Sequence, residues 1–198
     1  LIVDDSALIR SILKHVLQTD NAPIEIVGEA SNGERAVELN RRFQPDLIIM
    51  DIKMPVMDGL EATRRIMQDL PSNILVFSSA VDSANSFKAV EYGAKEVMKK
   101  PDIDRFNDPL FYQGFIQKLL ELGQTKASIK TGKQHVNSVD FNGKGYQMVV
   151  MGASTGGPGA VLNLLQALPP NLPLGIALVQ HLEEGFDQSY AEWLNSET

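Results

Sequence analysis

The chain has 198 residues, of which 43% are hydrophobic and 22% charged, a balance typical of a globular protein rather than a disordered or collagen-like one. It contains no cysteine, which excludes disulfide frameworks and thiolate metal sites and is compatible with a cytoplasmic protein. The net charge of −7 argues against a general nucleic-acid surface, and no apolar run approaches the roughly 20 residues that a membrane-spanning helix needs.

From Leu1 to Leu122 the chain alternates strand and helix patterns five times. Each predicted strand is a short apolar run, and the predicted helices lie between capping and breaking residues. The predicted strands are Leu1–Val3, Ile24–Ala30, Leu47–Met50, Ile74–Phe77 and Lys95–Met98. The predicted helices are one capped by Ser6, then Glu34–Phe43, Leu60–Leu70, Ser83–Tyr92 and Pro109–Leu122. This (βα)5 alternation predicts an α/β fold with a doubly wound parallel sheet, right-handed crossovers and helices on both faces.

A polar segment, 123–145, follows this first part. It has four lysines, several serines and threonines and no apolar period, so it is predicted to be a linker whose lysines form a solvated charge run. His135 lies in this segment, and no role is assigned to it.

Strand and helix patterns resume over residues 146–198. The predicted elements are the strand Tyr146–Met151, the glycine-rich loop Gly152–Gly159, the helix Ala160–Leu168, the strand Leu174–Val179 and a helix from Asp187. One β-α-β unit and a little more could not bury a sufficient core alone. The chain also opens at Leu1 inside a strand-like run and stops at Thr198 inside a periodic segment. We therefore expect a fragment whose second parallel α/β domain is truncated.

Polar side chains follow four of the five predicted strands of the first domain. Asp4 and Asp5 follow the first strand, Asp51 the third, Ser78 the fourth and Lys100 the fifth. Ligands of open parallel sheets bind outside the carboxyl ends of the strands, so we expect these side chains to share one edge. Three neighbouring carboxylates repel one another, and their oxygen atoms suit Mg²⁺, which bridges to phosphate. With Lys100 neutralising charge and Ser78 donating a hydrogen bond, the set predicts a phosphoryl-transfer site.

Each member of this set also has an ordinary structural interpretation. Asp4 or Asp5 could be a turn residue or a cap before the first helix, and Ser78 could cap the next helix. Lys100 could be a surface lysine. The joint pattern is more specific than any single member, and it favours phosphoryl transfer.

The sequence around these residues resembles the receiver domains of two-component response regulators. The matching motifs are Val3-Asp4-Asp5-Ser6, Met50-Asp51-Ile52-Lys53-Met54-Pro55 with Asp58-Gly59, Phe77-Ser78-Ser79 and Lys100-Pro101. The resemblance covers residues 1–122 and implies a flavodoxin-like fold. It also implies that a histidine kinase phosphorylates Asp51, and that Asp4, Asp5 and Asp51 bind Mg²⁺ together with the backbone carbonyl of Lys53. Val97 departs from the family, which often has an aromatic residue there that swings inward on phosphorylation. The sequence therefore leaves the route of signal transfer open.

A second set of reactive side chains lies in the glycine-rich loop and after the following strand. Ser154 lies in a turn beside a helix N-terminus whose N–H groups could stabilise an oxyanion, and His181 follows the next strand. If the two strands are neighbours, their ends lie about 4.8 Å apart, and Ser154 and His181 could form a nucleophile–base pair that an acidic group orients. Two alternatives remain open. One is a phosphate-binding loop, although neither common phosphate-binding motif matches, and the other is a turn serine with a structural histidine.

Residues 146–198 resemble the opening part of the catalytic domain of the chemotaxis protein-glutamate methylesterases (CheB family). The matching segments are Val150–Pro158, Leu168-Pro169, Val179-Gln180-His181, Gly185-Phe186 and Ala191–Leu194. The resemblance implies a Ser-His-Asp hydrolase with Ser154 as nucleophile, His181 as base and Thr155 near the oxyanion or substrate. The family's triad acid lies beyond Thr198, and Asp187 is not assigned its role.

The resemblance implies phosphorylation-activated hydrolysis of glutamate methyl esters on methyl-accepting chemotaxis receptors, with deamidation of receptor glutamines as a second activity of many members. It implies Mg²⁺ at the receiver, no cofactor at the esterase site, a cytoplasmic location, no nucleic-acid partner and no membrane insertion. The receiver is expected to cover the esterase site until Asp51 is phosphorylated, and this fragment is expected to be inactive as an esterase.

Two other output functions compete with the esterase. The first alternative is a signalling protein with a non-catalytic binding domain. A DNA-binding output ranks last, because no helix-turn-helix pattern follows the linker.

Overall fold

The first five strands form one parallel sheet. A computed structural model of the chain describes residues 1–18, 23–78, 83–124, 147–182 and 185–198. The strands of the sheet are β1 (Ile2–Val3), β2 (Glu29–Ala30), β3 (Leu47–Met50), β4 (Asn73–Ser78) and β5 (Glu96–Lys99). Their order, β2-β1-β3-β4-β5, confirms the predicted doubly wound α/β fold. The winding direction reverses between β1 and β3, which places a crevice at the carboxyl ends of these two strands.

Helices cover both faces of this sheet. They are α1 (Ala7–Leu17), α2 (Gly33–Phe43), α3 (Gly59–Asp69), α4 (Ser83–Glu91) and α5 (Pro109–Gln124). Leu13 of α1 and Phe115 of α5 are buried in the apolar layer on one face. Ala36 of α2 and Ile66 of α3 are buried in the layer on the other face. These two layers hold the sheet between the helices, so polar groups that follow the strands lie along its edge.

Side-chain caps fix the starts of three helices. Ser6, Asn32 and Asp58 each accept a hydrogen bond from the backbone N–H three residues later. Such caps satisfy N–H groups that have no partner inside the helix. The caps at Ser6 and Asp58 start α1 and α3 close behind Asp4 and Asp51, respectively.

The second strand is shorter than the sequence pattern predicts. The pattern indicates Ile24–Ala30, whereas β2 comprises Glu29–Ala30. Because β2 pairs with β1, which contributes only Ile2 and Val3, the ladder is limited to two residue pairs. The apolar residues before β2 still pack against the core without regular pairing.

The segment before and after α5 also differs from the prediction. A 3-10 turn at Ile103–Asn107 precedes the helix, and no apolar period in the sequence reveals it. The helix itself continues to Gln124, two residues into the predicted linker. The remainder of that linker, with His135, lies outside the described residues.

Residues 147–198 contain a β-α-β-α unit. The strands β6 (Met148–Ala153) and β7 (Gly175–Gln180) pair in parallel, with α6 (Gly157–Ala167) between them and α7 (Asp187–Glu197) after them. Helix α6 begins three residues earlier than predicted, because Gly156 caps it with a left-handed φ of 74° and Pro158 is compatible with a first helical turn. None of the helices described in this chain is long and apolar enough to cross a membrane.

An aromatic cluster joins α4 of the first domain to this second unit. The cluster consists of Phe87, Phe186, Tyr190 and Trp193, all of them buried. The Phe87 ring stacks on Trp193 at 5.2 Å between centroids and lies 5.3 Å from Tyr190. Since aromatic side chains dominate the energetics of such contacts, the cluster is the main apolar link between the two parts of the described structure.

Candidate functional site

Asp4, Asp51 and Lys100 meet at the carboxyl ends of β1, β3 and β5. The Lys100 ammonium lies 2.6 Å from Asp4 Oδ2 and 2.9 Å from Asp51 Oδ2, and its side chain is 9% exposed. Asp5 completes the group, because one carboxylate oxygen from each of Asp4, Asp5 and Asp51 lies within 4.8 Å of the others. We call these four residues the acidic site. The structure thus brings together four residues that the sequence assigns to phosphoryl transfer.

Burial and the Lys100 ammonium act in opposite directions on the pKa of Asp4, and burial prevails, so this pKa is raised. Loss of hydration raises the pKa of Asp4, while the hydrogen bond and positive charge of Lys100 lower it and the charge of Asp51 raises it further. The backbone also holds the two buried carboxylates in place, since Asp4 accepts from Ser6 N and Asp51 from Ile52 N. A divalent cation beside them would remove much of their mutual repulsion.

The other two predicted members are Ser78, on the strand next to β3, and Lys53, in the loop after β3. Ser78 ends β4, is 2% exposed, and accepts a hydrogen bond from Lys100 N through its carbonyl oxygen. Lys53 is exposed two residues after Asp51. The roles of the Ser78 hydroxyl and the Lys53 carbonyl in the site stay predictions.

Arg10 is a residue of this site that the sequence does not reveal. Its Nη1 atom donates to the carbonyl oxygens of Asp4 at 2.8 Å and Asp5 at 3.1 Å, and its Nε lies 3.5 Å from Glu29 Oε2. The side chain therefore ties the acidic loop to α1. Its only sequence signal is a basic residue one turn into a helix that follows the acidic pair.

Ser154 and His181 follow neighbouring strands, which is the condition that the sequence analysis sets for their pairing. Ala153 and Gln180 are the last paired residues of β6 and β7, and His181 N donates to the Ala153 carbonyl at 2.9 Å. Ser154 Oγ lies 3.4 Å from His181 Nδ1, and both residues are exposed. The distance is slightly longer than the usual reach of a nucleophile–base hydrogen bond, and such bonds are often loose before substrate binds.

The histidine ring presents Nδ1 to the serine, which leaves Nε2 for an orienting group. Among the ion pairs between described residues, none joins a carboxylate to His181. Asp187, which the sequence leaves without a catalytic role, begins α7. Thr155 follows Ser154 in the turn before α6 and is exposed. The described residues thus contain a serine–histidine pair with no carboxylate ion-paired to the histidine.

A crevice of about 320 Å³ opens between the first domain and this pair. Its first-domain side includes Phe87, Glu96 and Arg105, and its other side includes Pro158 and His181. The first domain therefore contributes to the surroundings of the histidine. It does not bury the pair, because Ser154 and His181 remain exposed.

Comparison with known proteins divides the chain in the same way. A family model for the response regulator receiver domain matches residues 1–111, and one for CheB methylesterase matches residues 149–198. "Protein-glutamate methylesterase/protein-glutamine glutaminase 1" of Syntrophus aciditrophicus (strain SB) is 35% identical over 98% of this chain and 59% of that protein. The enzyme numbered 3 under the same name in Hahella chejuensis (strain KCTC 2396) is 37% identical over 98% of this chain and 59% of that protein. The chain spans about 59% of the length of these curated relatives.

A solved structure matches the first domain. The response regulator domain of Thermotoga maritima CheB shares 30% identity with this chain and superposes with a TM-score of 0.57. The match covers 63% of this chain and 95% of that chain. The likeness agrees in fold and extent with the receiver-domain match.

Proposed function

This chain belongs to the response regulator receiver family, and we propose that it is part of a phosphorylation-controlled protein-glutamate methylesterase of chemotaxis. The main support is that one chain contains both the acidic site and the Ser154–His181 pair. That pair lies in the part of the chain that matches CheB methylesterase. The names of the curated relatives support the same activity. It is proposed for a protein of their length, with a receiver over 1–122, a linker over 123–145 and a catalytic domain from 146.

At the acidic site, Asp51 accepts a phosphoryl group from a histidine kinase. An Asp51 carboxylate oxygen attacks phosphorus, the bond from phosphorus to the kinase histidine nitrogen breaks, and that nitrogen keeps the electron pair. Lys100, 2.9 Å from Asp51 Oδ2, neutralises charge on the phosphoryl oxygens. Ser78, at the end of the neighbouring strand, donates a hydrogen bond to one of these oxygens.

The donor set of the acidic site fits Mg²⁺. Three carboxylate oxygens within 4.8 Å of one another are hard ligands of the kind that this ion prefers. Asp4, Asp5 and Asp51 would hold it, together with the backbone carbonyl of Lys53. When bound, the ion offsets the negative charge of the phosphoryl group.

At the second site, Ser154 and His181 carry out acyl transfer without a metal. His181 takes the Ser154 hydroxyl proton while Oγ attacks the carbonyl carbon of a glutamate methyl ester. The tetrahedral intermediate loses methanol, which receives the proton from His181, and water then releases the glutamate by the same route. A receptor glutamine would lose ammonia instead of methanol. Thr155 and the N-terminus of α6 lie beside Ser154, where an oxyanion would form.

The receiver controls the esterase through the aromatic cluster. Phe87 of α4 packs on α7 of the second unit, and the crevice beside it is lined by His181. Because the catalytic pair is exposed, we expect the receiver to restrict the approach of the receptor substrate rather than to bury the two side chains. Phosphorylation of Asp51 would weaken this contact and open the approach.

The receiver half of the proposal is tested by phosphoryl transfer. Radiolabelled acetyl phosphate with Mg²⁺ should label the wild-type chain and should fail to label Asp51→Asn. Asp58→Asn is the matched control, because Asp58 is an exposed helix cap that Asn can replace, and it should label normally. Equal labelling of wild type and Asp51→Asn would overturn the assignment.

The esterase half is tested in a protein of the length of the curated relatives. Ser154→Ala should abolish methanol release from methylated receptors, whereas Ser196→Ala, on α7, should retain it. Unchanged release from Ser154→Ala would favour a non-catalytic binding output. The 198-residue chain itself should hydrolyse the ester far more slowly than the longer protein.

The proposed partners follow from these two reactions. A histidine kinase supplies the phosphoryl group, and methyl-accepting chemotaxis receptors supply the ester. Both reactions use the cytoplasmic signalling machinery, so we place the protein in the cytoplasm, without membrane insertion or nucleic acid.

A further inference from the structure

Gln180, the last residue of β7, makes side-chain hydrogen bonds to the backbone of both catalytic residues. Its Nε2 atom donates to the Ser154 carbonyl oxygen at 3.0 Å and to the His181 carbonyl oxygen at 3.1 Å. We propose that Gln180 is a positioning residue that fixes the nucleophile turn against the strand that carries the base. This inference rests on the proposed esterase function and adds a residue to its machinery.

The two hydrogen bonds of the Gln180 amide lie where the pairing of β6 with β7 ends. The register of β6 and β7 closes at Ala153 and Gln180, and beyond it one backbone bond, from His181 N to the Ala153 carbonyl, remains. Ser154 and His181 both lie past this point and are exposed, so packing holds their side chains weakly. A primary amide has two donor hydrogens, and here each can serve one catalytic residue.

The packing of the amide also favours a positioning role. A Cβ atom at Gly157 would lie 2.3 Å from Gln180 Oε1 and 2.7 Å from Nε2, so the amide fits closely against the start of α6. Oε1 is buried without a hydrogen-bond partner among the described residues. Reversing the amide would turn this oxygen towards two carbonyl oxygens, so the two acceptors determine its orientation.

The unpartnered oxygen distinguishes this role from simple space filling. Burying an oxygen without a partner is unfavourable, and a methionine of similar length would avoid that penalty. A glutamine gains over methionine here only through its two donated bonds. These bonds set the separation of Ser154 Oγ and His181 Nδ1, and small errors in such a separation slow catalysis strongly.

The test uses the full-length enzyme with Gln180→Met, which preserves volume and removes both donors. We expect kcat for ester hydrolysis to fall about 10- to 100-fold with KM changed less than about twofold, because the defect lies in alignment. Labelling of Ser154 by a fluorophosphonate should slow by a similar factor. Wild-type kcat and labelling rate in Gln180→Met would overturn the proposal.

Gln180→Glu provides a pH signature that a space-filling role would not produce. An ionised carboxylate cannot donate to either carbonyl, whereas a protonated one can donate to one of them. The activity of Gln180→Glu relative to wild type should therefore rise as the pH falls through the pKa of the new carboxyl group. A ratio that does not change with pH would contradict the proposal.

Gly157→Ala tests the same two hydrogen bonds by a change on α6 rather than in Gln180 itself. Its methyl group would displace the amide, so this variant should share the loss in kcat. Gly175→Ala is the matched control at the other end of β7, since among the described residues a Cβ there meets only the Gln147 carbonyl oxygen, at 3.9 Å, and it should retain kcat within about twofold. Far-UV circular dichroism and Trp193 emission should match wild type in all these variants.

Activity that persists in Ser154→Ala would refute the proposed function itself. Loss of activity in Ser154→Ala together with normal activity in Gln180→Met would refute the positioning role alone.

Discussion

Gly59 lies where the start of α3 passes against the backbone that carries Asp51. A Cβ atom at this position would lie 1.9 Å from the Asp51 carbonyl oxygen, and Gly59 N donates to the Ile52 carbonyl at 2.8 Å. The glycine is therefore required by a close backbone approach. Any larger residue would have to move the loop directly below the proposed phosphoryl acceptor.

We expect Gly59→Ala to lower the free energy of unfolding of the receiver by about 3 kcal/mol or more, because backbone atoms cannot yield as side chains do. Gly114→Ala is the control within the same domain, since Gly114 lies in the interior of α5 and a Cβ there would meet no described residue outside the helix within 4 Å. That variant should gain about 0.5–1 kcal/mol from helix propensity. Urea unfolding followed by circular dichroism measures both, and equal stabilities would contradict the close approach.

Lys100 is the counter-charge for two buried carboxylates. Lys100→Met should destabilise the receiver by about 3 kcal/mol at neutral pH in the presence of EDTA, because Asp4 and Asp51 lose the cation between them. Mg²⁺ should restore part of this loss, and thermal unfolding with and without the ion measures it. Lys99→Met, which changes an exposed neighbour, should stay within about 0.5 kcal/mol of wild type. A Lys100→Met variant as stable as Lys99→Met would show that the ammonium is dispensable.

At the scale of elements, the sequence predicts those strands and helices that follow from the spacing of apolar residues. It does not predict features that depend on a neighbouring element, such as the length of a strand. The buried run Leu47–Met50 is read correctly as β3 because a central strand is apolar on both faces. The pattern overestimates β2 because the length of a strand is set by its neighbour, here the short β1.

The candidate sites follow the same division. The acidic site is predictable because parallel strands bring their carboxyl ends to one edge. Arg10 and Gln180 are not, since their hydrogen-bond acceptors are backbone carbonyls whose positions exist only after folding.

The contact between α4 and α7 joins apolar rings but leaves polar atoms without partners. Tyr190 OH and Trp193 Nε1 are buried, and neither has a hydrogen-bond partner among the described residues. Each would regain a bond to water if the contact opened. The contact between α4 and α7 is therefore less stable than the burial of its apolar area alone would make it. A regulatory contact that opens reversibly requires such limited stability.

Tyr190→Phe should strengthen this contact by about 1 kcal/mol, because it removes an unpartnered hydroxyl and keeps the ring. Burial raises the pKa of Tyr190 to about 12 from its ordinary value of 10. The phenol therefore ionises more readily once exposed, and the wild-type contact should lose stability as the pH rises from 10 through 12. The variant should lose this dependence, whereas Tyr112→Phe, at a partly buried ring packed against the receiver core, should not affect the contact. Trp193 emission as a function of pH measures the stability of the contact. Identical titrations of wild type and Tyr190→Phe would contradict the effect assigned to the Tyr190 hydroxyl.

At the scale of the whole molecule, strand β5 links the two sites. Lys100 follows its carboxyl end, and Glu96 and Val97 line the crevice that His181 shares. The distance along the strand is roughly 13 Å for four residues. Val97 packs against both the receiver core and the larger apolar cluster that contains the four rings, so a signal can cross this strand by packing, without the aromatic side chain that many receivers have there.

Phe87→Ala should uncouple the esterase from phosphorylation in a protein of full family length. The substitution removes the ring on which Trp193 and Tyr190 pack, a loss of about 3–5 kcal/mol at a buried site. Basal methanol release should rise towards the phosphorylated rate, and Trp193 emission should shift to longer wavelength. Phe43→Ala, at a half-exposed ring on α2, should change neither. Unchanged basal release in Phe87→Ala would separate the aromatic cluster from control of the esterase.

The residues of the aromatic cluster are made at different times during translation. Phe87 and Trp193 stand roughly a hundred residues apart, so at ordinary translation speeds Phe87 is made about 5–20 s before its stacking partner. All the strands and helices of the receiver precede α7 in the chain, so this domain can fold while the ring still faces water. Every nascent molecule therefore passes through an interval in which the receiver has been made and α7 has not. During that interval, Phe87 lacks the Tyr190 and Trp193 rings that pack on it in the folded chain.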